Sequence, residues 1–481
     1  MTAKYTELSA VQADLKSEKI NCRQLVAHYL EQIEATKYLN IYIEVFEEEI
    51  AEQAKKLDEK FLQNPDSVGR LFGMVVSLKD VICYENHLVT AASQILEGFR
   101  SLFSATAVER LLAEDALIIG RVNCDSFAMG SSNENSIYGA TRNPLNADKI
   151  PGGSSGASAV AVAADTCLAS LGSDTGGSVR QPAAFCGVIG TKPTYGRISR
   201  HGLIAYGSSF DQIGTLTHSV ADAALLLEIM AGADQYDSTS SRRSVPNYGY
   251  LWSEKKKIRI AYFAEALENE GLDAHIAEQT QHLVAQLRAA GHTVEAVEFS
   301  YLDYMIPAYY VLTTAEASSN LSRYDGIRYG FRAKNTENLT QHYQKTRSEG
   351  FNEEVKRRIM LGTFVLSAGF YEAYYAKAQK VRRLIRDRTV EIFSEYDFIL
   401  MPASPVAAWN IGEKSDDPVA TYLSDIFTVQ ANMAGIPAIA LPIGTHPEGT
   451  GIGIQLMANS FCEAELFAFS DYIMKKLLAS A

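Results

Sequence analysis

The sequence predicts an α/β fold organised as one large unit. Short apolar runs of strand length alternate with longer segments whose apolar residues recur at helical spacing. Several of the apolar runs stop abruptly at charged or glycine-rich residues, as buried strands do when they deliver side chains to a sheet edge. The composition, 47% hydrophobic and 21% charged over 481 residues, is that of a globular chain with a sizeable core.

From about Leu8 to Phe61 the apolar positions (Leu25, Val26, Tyr29, Leu30, Ile33, then Ile43, Val45, Phe46, Ile50) follow a helical period with charges on the complement. Residues 1–65 are therefore expected as a helical layer packed on a main domain of residues 66–481. In that domain Gly73 to Leu78 reads as a buried strand ending at Lys79-Asp80. A helix at Ala107 to Glu114 and a strand at Ala116 to Gly120 come next. Ser158 to Ala164, rich in Ala and Val, reads as a closely packed helix, with Cys167 to Leu171 as the next strand. Gly187 to Gly190 and a helix at Ala221 to Met230 precede the most linker-like stretch, Asp237 to Arg243, which need not divide domains. Ile258 to Phe263, Ala274 to Ala290 and Thr293 to Val297 form a βαβ-like unit. Helices are expected within Asn352 to Phe393, a strand at Phe398 to Met401 and a helix at Val419 to Met433. Strands near Ala438 to Pro442 and Gly451 to Leu456 and a last helix from Glu463 to Leu477 close the chain. No internal repeat or low-complexity tract interrupts it.

A formal net charge of −13 and a pI near 5.3 argue against a broad nucleic-acid surface, so any RNA the protein serves is expected to be held by a partner. The first residues have no apolar leader and no run reaches membrane-span length, which makes the cytoplasm the expected location. Six scattered cysteines without C-x-x-C spacing are expected as buried, reduced thiols rather than as a zinc site or disulfide framework.

Two clusters carry the chemistry, Gly152-Gly153-Ser154-Ser155-Gly156 and Asp174-Thr175-Gly176-Gly177-Ser178. Glycine lets backbone N–H groups approach a ligand closely, so each cluster can combine hydroxyls with amide donors, as a nucleophile beside an oxyanion hole requires. The first matches G-x-S-x-G, but a nucleophile elbow needs a strand before it, and Arg142 to Pro151 is polar and holds two prolines. A Gly/Ser turn capping the next helix is the plain alternative. Asp174-Thr175-Gly176 resembles half of an aspartic-protease dyad with no second copy, and the phosphate-loop lysine is absent. The nearest downstream histidines, His201 and His218, read better as packing or surface residues. Lys79, at the end of a buried strand, remains as a candidate base, although a lone lysine there could equally snorkel to water.

Pro151 to Ser158, Gly172 to Ala183 and Ser77 to Asp80, in this order and spacing, resemble the amidase signature family over roughly residues 70 to 460. Ser322 to Gly330, Arg357 to Thr363 and Tyr422 to Thr428 are most similar to its glutaminase branch, which serves the tRNA-dependent amidotransferases of Glu-tRNA(Gln) and Asp-tRNA(Asn). Ala157 stands where the family usually has glycine, a change a helix start accommodates. The resemblance implies a central mixed, twisted β-sheet covered by helices on both faces. It implies Ser178 as acyl-forming nucleophile, Ser154, after a cis peptide bond, as proton relay, and Lys79 as base. Such a lysine must lie well below its reference pKa of about 10.4. The N–H groups of Thr175, Gly176, Gly177 and Ser178 are implied to form the oxyanion hole, with Asp174 and Arg180 as a structural pair. Arg358 is implied to clamp the glutamine α-carboxylate and Asp425 to meet the α-ammonium, with Gly130, Ser131 and Tyr309 completing the pocket; composition alone would make Arg358 and Asp425 exposed helix charges. The implied activity is hydrolysis of glutamine, with the ammonia passed to a B subunit that uses ATP and Mg²⁺ to amidate misacylated tRNA. A small C subunit completes a heterotrimer. No metal or cofactor is expected on this chain. The alternative is a free-standing amidase acting on another small amide.

Overall fold

The strands at the centre of the sheet are buried at every residue, and because successive side chains of a strand point to opposite faces, both faces of the sheet must be covered. The structure is a computed structural model and describes residues 4–249, 256–269, 271–413 and 418–478. Its strands are β1 (Tyr42–Val45), β2 (Val75–Lys79), β3 (Leu117–Val122), β4 (Ala169–Asp174), β5 (Ile189–Lys192), β6 (Gln212–Thr217), β7 (Arg259–Phe263), β8 (Thr293–Val297), β9 (Phe398–Pro402), β10 (Ala438–Thr445) and β11 (Gly451–Ala458). They form one sheet in the order β1-β3-β2-β4-β6-β5-β10-β11-β9-β7-β8. The sheet is mixed: β3-β2-β4 and β9-β7-β8 run parallel, and the remaining pairs are antiparallel.

The parallel trio positions the chemistry. Helices Thr106–Ala113 and Gly156–Ala163 supply the crossovers from β2 to β3 and from β3 to β4. With Val76 opposite Ala169 and Leu78 opposite Leu171, the carboxyl ends of β2 and β4 lie side by side. Lys79 is the last residue of β2 and Asp174 the last of β4, so the sequence-distant motifs emerge at one sheet edge, where open α/β sheets place their ligands. The helix between them, Gly-Ala-Ser-Ala-Val-Ala-Val-Ala, is buried almost throughout, which small side chains allow. One core cluster fills most of the molecule, and a second gathers around Phe263, Tyr309, Ile399 and Met457.

Most expected elements form within a few residues of their predicted bounds. The N-terminal layer is not wholly helical: Tyr42–Val45 is an edge strand paired with β3, because its apolar residues satisfy a strand's needs as well as a helix's. β6, absent from the sequence reading, bridges β4 and β5. A 19-residue helix, Leu302–Asn320, also escaped that reading; Pro307 sits in it and its apolar residues surround the axis. The helix expected over Val419 to Met433 is two, Pro418–Leu423 and Val429–Ala434. The linker-like stretch is anchored, since Asp237 accepts from the Arg200 N–H at 2.8 Å and from Thr239 Oγ1 at 2.7 Å.

Gly120 tests the docking of the edge strand. A Cβ there would lie 2.5 Å from the Glu44 carbonyl oxygen, a backbone atom that cannot step aside alone. Gly120→Ala is expected to lower stability by about 1–3 kcal/mol, read as a lower urea midpoint; an unchanged midpoint would show that the β1–β3 contact is not held in this register.

Candidate active site

Lys79 leaves the end of β2 with no exposed surface. Its Nζ lies 2.7 Å from Ser154 Oγ, 2.9 Å from Ser155 Oγ and 3.0 Å from Ser173 Oγ. Hydroxyls both donate and accept, so this cradle can satisfy either a charged ammonium or a neutral amine whose lone pair receives a proton. Burial pulls the Lys79 pKa down to about 8, against the opposing pull of Cys124, Asp125, Asp174 and Asp211. A lysine in this state is a base near neutrality, which the snorkelling alternative would not produce.

Ser154 follows a cis peptide bond from Gly153. The turn is fixed from several sides: Gly153 N–H donates to Gln181 Oε1 at 3.0 Å, and the Ala157 N–H to Asn133 Oδ1 at 2.9 Å. The Ser155 N–H donates to the Ser178 carbonyl at 3.0 Å, which locks the two glycine/serine clusters together. Ser178 is partly exposed, whereas Lys79, Ser154, Ser155 and Ser173 are buried. The outermost hydroxyl of the group is therefore the one a substrate meets first. Among the described residues Ser154 and Ser178 do not share a side-chain hydrogen bond; such catalytic bonds are often long until substrate arrives.

The second cluster is held by Asp174, which is buried together with Arg180. Arg180 Nε and Nη2 bind the two Asp174 oxygens at 3.1 and 3.0 Å. Its other donors reach the Thr428 carbonyl, Gln455 Oε1 and Asn432 Oδ1, so all the guanidinium's N–H groups are engaged. Burial raises the carboxyl, but the Arg180 charge and hydrogen bonds overcome it and hold Asp174 at about 2. Asp174 also accepts from the Gly177 N–H at 3.0 Å and the Val179 N–H at 3.2 Å. The Gly177 amide, expected in the oxyanion hole, is thus engaged by the loop's own carboxylate, while Thr175 and Gly176 lie in the same turn. Close packing fixes that turn: a Cβ on Gly176 would lie 2.5 Å from Tyr309 Oη, and one on Gly177 would lie 2.1 Å from Thr428 Oγ1.

Tyr309 therefore touches the loop from helix Leu302–Asn320, and Thr428 ties the loop to Asp425 by donating to the Gly176 and Asp425 carbonyls. Asp425 is buried and accepts from Ser131 Oγ at 2.6 Å; burial pushes its carboxyl up to about 7, against the Ser131 bond and the Arg358 charge. Gly130 packs so tightly on Asp125 that a Cβ would lie 2.3 Å from its carboxyl carbon. Arg358, on helix Glu353–Val365, is buried among the rings of Tyr206, Tyr310 and Tyr422, 5.5, 5.2 and 5.3 Å from their centroids. A cavity of 260 Å³ lined by Gly130, Ser132, Glu354, Arg358 and Tyr422 opens beside it. The sequence alone suggested exposed charges at Arg358 and Asp425; their burial at one end of this constellation suits recognition of a zwitterion.

Residues 24–467 match the sequence family described as Amidase. The chain belongs to the amidase signature family. It is 48% identical over 472 residues to the A subunit of the glutamyl-tRNA(Gln) amidotransferase from Chlorobium limicola, covering 97% of this chain and 98% of that one. It is 50% identical over 458 residues to the protein of the same name from Prosthecochloris aestuarii, covering 94% and 95%. Among solved structures it resembles the corresponding A subunit from Thermotoga maritima at 39% identity and a TM-score of 0.77, over 95% of this chain and 92% of that one. A bacterial aryl acylamidase at 20% identity shares the fold, with a TM-score of 0.86 over 100% and 98%.

The amidase signature region thus begins well before residue 70. Within it, sequence reasoning missed Ser155 and Ser173 as partners of Lys79, although both lie inside the motifs it used. It also missed a buried chain of contacts linking the two ends of the site. Arg358 Nη1 donates to Tyr206 Oη at 2.7 Å, the Tyr206 N–H to Asp211 Oδ2 at 2.9 Å, and Thr175 Oγ1 to Asp211 Oδ1 at 2.7 Å. His201 stacks between Phe103 and Tyr236, in keeping with a packing role.

Replacing Arg180 by Ala would leave Asp174 buried without its countercharge, at a cost of about 3–5 kcal/mol. Chemical denaturation should register that loss, and a stability within 1 kcal/mol of the parent, roughly the value of an exposed pair, would mean that the pair does not carry the loop.

Proposed function

We propose that this chain is the glutaminase subunit of a tRNA-dependent amidotransferase, hydrolysing glutamine through an acyl-enzyme on Ser178 and releasing ammonia for use by a partner. The observation that carries the reading is the buried Lys79 amine on Ser154 beside the Asp174–Ser178 turn, in a chain matching amidotransferase A subunits along nearly its whole length.

In its neutral form Lys79 takes a proton from Ser154 as Ser154 takes one from Ser178. The Ser178 oxygen then attacks the carboxamide carbon, and negative charge develops on the amide oxygen. Backbone N–H groups of Thr175, Gly176 and Ser178, the Gly177 amide being held by Asp174, stabilise that charge, an effect of about 10²–10³ in rate for each donor. The proton returns through Ser154 to the leaving nitrogen, ammonia departs, and water attacking the acyl-enzyme by the same relay gives glutamate and free Ser178. Arg358 binds the substrate's α-carboxylate and Asp425, with Ser131 and Tyr309 beside it, the α-ammonium. Two ends of the substrate are thereby fixed relative to Ser178, which is what orientation contributes to rate.

The ammonia passes to a B subunit where ATP and Mg²⁺ activate the misacylated tRNA, with a small C subunit in the same complex. The acidic character of this chain, −13 overall, suits a component that does not itself grip RNA.

Ser178→Ala, assayed in the assembled complex, is expected to abolish glutamine-driven amidation of tRNA and to leave ammonium-driven amidation near the parent rate. Persistence of the glutamine-driven reaction would remove Ser178 from the nucleophile's role, and failure of ammonium to support the parent complex would remove the amidotransferase assignment.

A further inference from the structure

Arg358 does not stand alone in its pocket. Glu354, one helical turn earlier, is 8% exposed and accepts from Arg358 Nε at 2.7 Å through Oε1. The same oxygen accepts from Tyr422 Oη at 2.7 Å, and the other pairs with Arg357. Burial raises the carboxyl, but Arg358, Tyr422 and Arg357 together bring it below its ordinary range, so Glu354 is an anion inside the cavity that it lines.

A guanidinium offers five donors in a fixed plane. On Arg358, Glu354 takes the Nε side and Tyr206 one Nη1 donor, while the rings of Tyr206, Tyr310 and Tyr422 surround the group. What remains is one Nη1 donor and both Nη2 donors, enough to meet the two oxygens of a carboxylate. Without a bond on Nε the side chain could swing its guanidinium and present different donors; with it, the orientation of the remaining donors is fixed. An ordinary i,i+4 ion pair on an exposed helix contributes little, yet this one is buried beside the cavity, where orientation rather than helix stability is at stake.

We propose that Glu354, braced by Tyr422, is a positioning residue for substrate recognition: it fixes the Arg358 guanidinium so that its remaining donors receive the α-carboxylate of glutamine. The proposal rests on the reading of Arg358 as the α-carboxylate clamp. It makes Glu354 a determinant of the preference for amino-acid amides over amides that lack an α-carboxylate, although Glu354 itself does not touch that group.

The test compares glutamine with 4-aminobutanamide, which is glutamine without its α-carboxylate, using the assembled complex carrying Glu354→Ala, Glu354→Gln or Arg358→Ala. Glu354→Ala is expected to raise KM for glutamine about tenfold or more, the scale of a charge-assisted hydrogen bond, with kcat little changed. Hydrolysis of 4-aminobutanamide should be the same as in the parent. Glu354→Gln, which keeps an acceptor for Arg358 and Tyr422 without the charge, should recover part of the lost KM. Arg358→Ala should lose the preference for glutamine outright. If Arg358→Ala loses that preference and neither Glu354 variant raises KM, the positioning role is wrong while the clamp stands. If Arg358→Ala keeps the preference, the clamp itself is wrong and the proposal falls with it. Equal losses on both substrates, or a fall in kcat alone, would assign Glu354 a general structural role and overturn the proposal. Melting temperatures of each variant show which are folded, and Glu354→Gln, nearly identical in shape, decides the matter if Glu354→Ala is not.

Discussion

A lysine amine held out of water by hydroxyls, not by a carboxylate, is the constraint from which the rest of this site follows. Desolvation alone would drive the proton off such a group, and a carboxylate in contact would hold it on. The protein does neither completely: Asp125, Asp174 and Asp211 act on Lys79 through space, while its direct partners are Ser154, Ser155 and Ser173. The amine can exist there only because β2 and β4 run parallel and end together, and because the small-residue helix Gly156–Ala163 brings the Ser154 turn down between them. Sheet topology thus sets the chemistry before any substrate arrives.

The same sheet edge explains why the Thr175–Ser178 turn is rigid. Its charge is carried by Asp174 and neutralised by an arginine whose donors are all engaged, and Arg180 in turn reaches the Thr428 carbonyl and Asn432 on the helix after Asp425. Thr428 closes the loop by binding the Gly176 carbonyl. The turn proposed to carry the nucleophile and the residues proposed to read the substrate's amino-acid end are therefore braced on one another, and the Thr175–Asp211–Tyr206–Arg358 path braces them from the other side. Displacing either end of the substrate pocket should be felt at the other, a property that suits an enzyme whose selectivity and rate depend on the same geometry.

Much of this was legible in the sequence, and the exceptions have physical reasons. That Lys79 and the two glycine/serine clusters come together could be read because Lys79 ends a buried apolar run and the clusters are glycine-rich where the backbone is closely approached. The strand ends could be read because burial on both faces produces uninterrupted apolar runs. β1 could not, since Tyr42-Ile43-Glu44-Val45, with one charged residue in four, is too short to fix either period, and what decides for a strand is the waiting edge of β3. Helix Leu302–Asn320 was hidden by Pro307 and by apolar residues all around its axis, a pattern set by burial between layers. Glu354 was hidden most thoroughly. In the sequence Glu354 and Arg358 form the commonest of exposed helix pairs, and only the surrounding Tyr206, Tyr310 and Tyr422, contributed by distant segments, reveal that the pair is buried beside a cavity.

If Lys79 is a base near neutral pH because it is buried among hydroxyls, a direct titration of its amine shows it. Carbon-13 NMR of the lysine ε-carbons across pH, with the Lys79 signal assigned by its loss in Lys79→Ala, would give the value. A midpoint of about 8 is expected. A midpoint near the ordinary lysine value of about 10.4 would contradict it, because Lys79 would then remain a cation at the pH where the proposed relay needs a neutral amine.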